Sequence, residues 1–174
     1  MPTRTLPAHV LPTALEGPTW LPGPGSYAAT GDRCVVELTA RLGPLVTLRR
    51  RLTADEAALT VAPSAADCVL SLKLTGAALG GAALSFVSTA VEPDAKGSRL
   101  RLPGELATAD TTVPSVPATL TLRVVERTDD SLLVLGTIRV PYGPLRRTTG
   151  FTLSRIRPAD SLRLLVAAEF ACPV

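Results

Sequence analysis

Apolar and polar residues alternate one for one along most of this chain, and the pattern is clearest between Val116 and Val140. There Ala118, Leu120, Leu122 and Val124 stand against Thr119, Thr121 and Arg123. After Arg127-Thr128-Asp129-Asp130 the alternation resumes, with Leu132, Val134, Ile138 and Val140 against Thr137 and Arg139. A period of two residues on both sides of a turn-rich tetrad predicts a β-hairpin with one apolar face. Such a hairpin is not stable alone in water, so the remaining chain must supply more strands to cover it.

The same period recurs elsewhere. Residues 34–42 set Val36, Leu38, Ala40 and Leu42 against Glu37, Thr39 and Arg41, and Gly43-Pro44 ends the run. Leu45 to Leu52 follows, with Val46, Leu48 and Leu52 on one face, Thr47, Arg49 and Arg51 on the other, and Arg50 on the apolar side. A cation there needs a carboxylate or an anionic ligand, or else a rim position from which it reaches water. Further strands are expected over 56–62, 67–74, 83–91, 99–106 and 161–170, with a short one around Phe151 and Leu153. Pro103 marks an edge or a bulge in its strand. The glycines between residues 75 and 82 make a turn; they match no phosphate-cradling loop. Eight or nine short strands with brief connections, and no helical period of ten or more residues, predict an all-β fold. Closing the antiparallel sheet into a barrel is the simplest way to remove its edges.

Before these strands lies an arm. Pro2, Pro7, Pro12, Pro18, Pro22 and Pro24 remove backbone donors and fix φ, so no regular element is expected over residues 1–30, and the barrel domain is taken as 31–174. Trp20 either plugs one end of the barrel or forms a lid over a ligand mouth.

Composition narrows the chemistry. The 174 residues are 46% hydrophobic but only 3% aromatic, so Leu, Val and Ala must build the interior of one domain. No run approaches the roughly 18 apolar residues that span a bilayer, and no basic segment followed by an apolar one opens the chain. A cytoplasmic protein without membrane insertion is expected. Cys34, Cys68 and Cys172 lack paired spacing, and His9 is the sole histidine, which argues against disulfides, a metal site, and Ser/His/Asp or Cys/His catalysis. No catalytic residue, cofactor or metal ligand is therefore assigned. The net charge of +3 comes mainly from arginines that lack interleaved aromatics, which argues against nucleic acid as partner.

The order of segments resembles the YceI-like family of lipocalin-like barrels. The resemblance rests on Trp20 followed by Ser26, on the run from Glu37 to Leu52, on Leu84-Ser85-Phe86-Val87-Ser88, and on Leu102-Pro103-Gly104-Glu105-Leu106. The family's Arg-Asp-x-His-Leu segment and Phe-Phe-Asp turn have no counterpart in the short stretch 75–82. The resemblance implies a barrel of about eight strands that carries a polyisoprenoid or lipid-like molecule. Inward Val36, Leu48, Leu72, Phe86, Leu122, Ile138 and Leu164 would line its pocket, and Trp20, Tyr27, Arg50 and Tyr142 are further candidate ligand contacts. Two other readings stand beside carriage. One is a barrel enzyme of small-molecule biosynthesis in which Arg50, Tyr27 or Tyr142 orients a substrate; the other is a filled barrel acting as an interaction module. A homodimer is compatible with all three.

Overall fold

The computed structural model describes residues 21–80, 82–94, 99–108, 112–153, 159 and 161–172. The elements in chain order are β1 (Gly25–Ala28), β2 (Cys34–Leu42), β3 (Leu45–Val61), β4 (Val69–Thr75), β5 (Leu84–Ser88), β6 (Glu92–Pro93), β7 (Arg99–Thr108), β8 (Val116–Arg127), β9 (Ser131–Val140), α1 (Tyr142–Thr149) and β10 (Ser161–Ala171).

The expected hairpin forms as β8 and β9, with Leu120 opposite Ile138 and Val124 opposite Val134. Successive strands pair antiparallel from β2 to β9 with β6 at the margin, and β10 pairs with both β9 and β2. An eight-stranded antiparallel barrel therefore closes through β10. The short strand β1 pairs with the second half of β3 and reaches β10 through Ala28 and Ala171, so it occupies the slot that β2 leaves empty at that end.

Four elements differ from the sequence reading. The two runs 45–52 and 56–62 are one strand, β3, in which bulges at Thr47 and Asp55 shift the register and hide the continuity. Residues 25–28, assigned to the irregular arm, are strand β1, and they bury Tyr27. The stretch after Pro141 winds into the eight-residue helix α1, which ends on Gly150 in the left-handed conformation at φ 68°. Phe151 and Leu153 form no strand; both are buried just after the helix, Phe151 against Tyr142 at its start. Pro103 lies inside β7, at the break between β5 and β6. Its carbonyl accepts from the Thr89 amide on that side at 2.8 Å, so the donor that proline lacks would have faced the gap.

The inward face is one apolar cluster running from Tyr27 and Cys68 near one end to Leu79, Leu145 and Phe151 at the other. Leu145, fully buried, anchors α1, and Tyr142 meets Phe151 edge to face at 6.4 Å. With few aromatics to fill it, the barrel narrows instead. A Cβ on Gly104 would lie 2.3 Å from the Val87 carbonyl oxygen, and one on Gly136 would lie 2.3 Å from Leu122 Cδ2. The wall is drawn inward where these glycines stand.

Candidate binding groove

Inside the barrel, Val36, Leu72, Phe86, Leu122, Ile138 and Leu164 retain at most 2% of their surface, and Leu48 retains 8%. Accessible surface includes the walls of internal cavities large enough for water, so these side chains are packed against one another. Tyr27 is also buried, its hydroxyl donating to the Gly23 carbonyl at 2.7 Å. Burial, with smaller contributions from Cys172, Asp130 and Asp129, pushes its phenol above the usual range. Arg50 is exposed: it lies where β3 projects beyond β4, opposite Leu38 of β2, and its guanidinium donates to the Arg49 carbonyl at 2.9 Å. That is the rim outcome for Arg50. Tyr27 lies at one end of the barrel and Tyr142 and Arg50 toward the other, so the three do not converge on one site; Trp20 falls outside the described residues.

The large concavity lies on the other side of the wall. A groove of about 1250 Å³ crosses β7, β8, β9, β10 and β2. Most of its lining alternates with the core residues, which places it on the outer face. The pinch at Gly104, Ala118 and Gly136 supplies its depth, since small inward residues let the backbone sink toward the core.

Register assembles the lining. Leu135 of β9, Ala167 of β10 and Val35 of β2 are successive ladder partners, with Leu165 one inward–outward step along β10. Leu135, Leu165 and Val35 remain 49%, 43% and 39% exposed, so together they make an apolar strip open to solvent. Thr121 and Thr137 pair beside it. Arg99 stands directly opposite Arg123, and Arg139 directly opposite Arg163. All four line the groove. Among the described residues, no carboxylate pairs with their guanidinium groups; the ion pairs are Arg49 with Glu37 at 2.8 Å, Arg101 with Glu92 and Arg33 with Glu169. The hydrogen bond from Arg49 to Glu37 holds that guanidinium above its usual range. None of these arginines was singled out as a site from the sequence, because each reads as a solvated charge until the register sets it beside another.

No protein-family model matches the chain, and no curated protein matches it. Among the described residues, no three His, Cys, Asp or Glu side chains gather as a metal site would require, and no helix is long and apolar enough to cross a membrane.

Proposed function

We propose that the protein is a binding module built on a filled barrel, and that it holds an amphiphilic anion on its outer wall. The observation that carries this reading is the pair of arginine pairs in the groove. Like charges directly opposite in a sheet are destabilising, and nothing in the core requires Arg99, Arg123, Arg139 or Arg163. A phosphate or carboxylate lying between the two members of either pair would offset their repulsion through bidentate, charge-assisted hydrogen bonds, the pairs themselves standing four residues, about 13 Å, apart along β9. The strip of Val35, Leu135, Leu165 and Ala167 would cover an apolar body attached to such a head. At about 1250 Å³ the groove exceeds the size of ordinary small-ligand pockets, which suits an elongated molecule.

A polyisoprenoid or other long apolar molecule inside the lumen would have to displace Leu72, Phe86 and Leu122, each almost fully buried. Methyl-labelled nuclear magnetic resonance separates the two locations. On titration with dodecyl phosphate below its micellar concentration, the outward Leu135 and Leu165 methyls are expected to shift, while those of Leu72, Ile138 and Leu164 hold still. Dodecanol is expected to bind at least about tenfold more weakly, since it lacks the charge. Shifts confined to the inward methyls would overturn the groove and restore carriage in the lumen.

A further inference from the structure

One end of the barrel combines an exposed apolar tip with a ring of arginines, and the opposite end is acidic. The tip is the β2–β3 hairpin. Leu42 and Leu45 are its last ladder pair, and Gly43-Pro44 spans the turn. Gly43 has φ 55°, and proline fixes φ near about −65°, a sign pattern that matches a type II′ turn. Leu45 is 66% exposed, Val46 52% and Leu42 42%. The bulge at Thr47 breaks the strict alternation that would have turned Val46 inward with Leu48. Three large apolar side chains thus project from the end of a two-stranded ribbon.

Cations surround them. Arg41 is the ladder partner of Val46, and Arg49, Arg50 and Arg51 follow on β3. Arg41, beside Val46, falls in the headgroup layer when the tip reaches the acyl boundary, while four residues at about 3.3 Å each place Arg49 about 13 Å from Leu45, outside a layer about 5–8 Å deep but within about one Debye length of its surface. The same end carries α1, because β9 runs into it at Val140 and the β10 ladder sets Leu162 beside Val140 and Ser161 beside Arg41. Arg146 and Arg147 of α1 are exposed there. At the far end, the connections hold Asp32, Asp67, Asp94, Asp129 and Asp130.

We propose that this basic end docks on an anionic lipid surface, with Leu42, Leu45 and Val46 entering the interface and the arginines meeting lipid phosphates. Charge complementarity selects that occupant. A second copy meeting tip to tip would bring arginine against arginine, and a zwitterionic bilayer, whose choline groups offset its phosphates, would attract those cations less than an anionic one. The polarity of the molecule orients it, since the acidic end is repelled by the surface that attracts the basic one. The attachment is peripheral, by insertion of side chains and not by a spanning segment.

The test uses the full chain and vesicles of phosphatidylcholine, alone or mixed with phosphatidylglycerol. Sedimentation is expected to show binding to the mixed vesicles at least about tenfold tighter than to the neutral ones, and weaker at high salt. Leu45→Asp with Val46→Ser, and separately Arg50→Glu with Arg147→Glu, are each expected to reduce binding about tenfold or more at an unchanged unfolding midpoint. A Cys172→Ser background allows single labelling, since Cys34 and Cys68 are buried. A polarity-sensitive dye on Leu45→Cys should shift to the blue with mixed vesicles, and one on Asp129→Cys should not. Equal binding to both vesicle types, no binding, or binding that leaves the Leu45 dye unshifted would each overturn the proposal. Displacement from the vesicles by polyglutamate without any change at the Leu45 dye would assign this end to an acidic protein instead. Arg99→Gln with Arg123→Gln, the groove pair at the acidic end, should leave vesicle binding intact, so the groove and the docking end stand or fall separately.

Discussion

Arg139 and Arg163 occupy one ladder position, two cations facing outward from adjacent antiparallel strands. Arg163 also neighbours Thr39 of β2, and Glu37, two residues along that strand, is already paired with Arg49. Replacing Arg163 with glutamate should therefore act in opposite directions on stability and on binding. The new cross-strand ion pair with Arg139 is expected to raise unfolding stability by about 0.2–1 kcal/mol, read from the urea midpoint. Affinity for dodecyl phosphate is expected to fall. An unchanged or lowered midpoint would show that the two guanidiniums do not repel each other in the free protein.

The inward pinch of the wall depends on the absence of a Cβ at Gly104 and Gly136. Gly136→Ala sets a methyl against Leu122 Cδ2, a side-chain atom in a packed core, and should cost about 1–3 kcal/mol. Gly104→Ala meets the Val87 carbonyl and the Phe86 ring, where backbone has to move, and should cost more. Adding Leu122→Val to Gly136→Ala should recover part of the loss, because it removes the atom that is struck. Chemical denaturation of the four proteins decides this, and equal costs at the two glycines would contradict the assigned contacts.

Ser88 is a buried polar side chain at the end of β5, and its hydroxyl accepts from the Leu70 amide at 2.8 Å. Ser88→Ala leaves that amide without an acceptor in the core and should destabilise by about 1–3 kcal/mol. Amide hydrogen exchange at Leu70 should accelerate more than at Leu72, whose ladder partner is Phe86. Uniform acceleration along β4 would point to a general loss of packing.

Tyr27 ties stability to alkaline pH. Its folded pKa lies above the value of about 10 expected in an unfolded chain, chiefly through burial. The native state thus holds the phenolic proton more firmly. The resulting stability is fully present below pH about 10 and is lost as pH rises through the folded value. With Tyr142→Phe, Tyr27 is the sole tyrosine and its ionisation is read directly by ultraviolet absorbance. Alkaline unfolding should coincide with that ionisation, and Tyr27→Phe should flatten the pH dependence there.

The period of two along 34–42, 99–106, 116–140 and 161–170 specified most of the barrel, because a half-buried strand writes its two faces into successive residues. The bulges at Thr47 and Asp55 broke that period and made β3 look like two strands. Helix α1 is not legible because Pro141, Gly143 and Pro144 read as a turn, and because two turns of helix anchored by Tyr142 and Leu145 leave too little periodicity to detect. Strand β1 was hidden among prolines. Val36, Leu48, Leu72, Phe86, Leu122, Ile138 and Leu164 face inward as expected, whereas Leu42 and Val46 of the same apolar faces are exposed at the hairpin tip, and the volume left inside could not be read, since it depends on how far the wall sinks at Gly104 and Gly136. The groove was least legible of all. Arg99 and Arg123 are separated by more than twenty residues, and only the pairing of β7 with β8 makes them neighbours.

Closure through β10 has a consequence for biosynthesis. β2, the first strand of the ring to emerge from a ribosome, pairs along its far side with β10, which emerges after every other strand of the ring. Until then, β2 and β9 both present rows of unsatisfied amides and carbonyls beside exposed leucines and valines. The nascent polypeptide must wait through the synthesis of more than a hundred residues in that sticky condition, which makes β2 the segment where a chaperone would have most to protect.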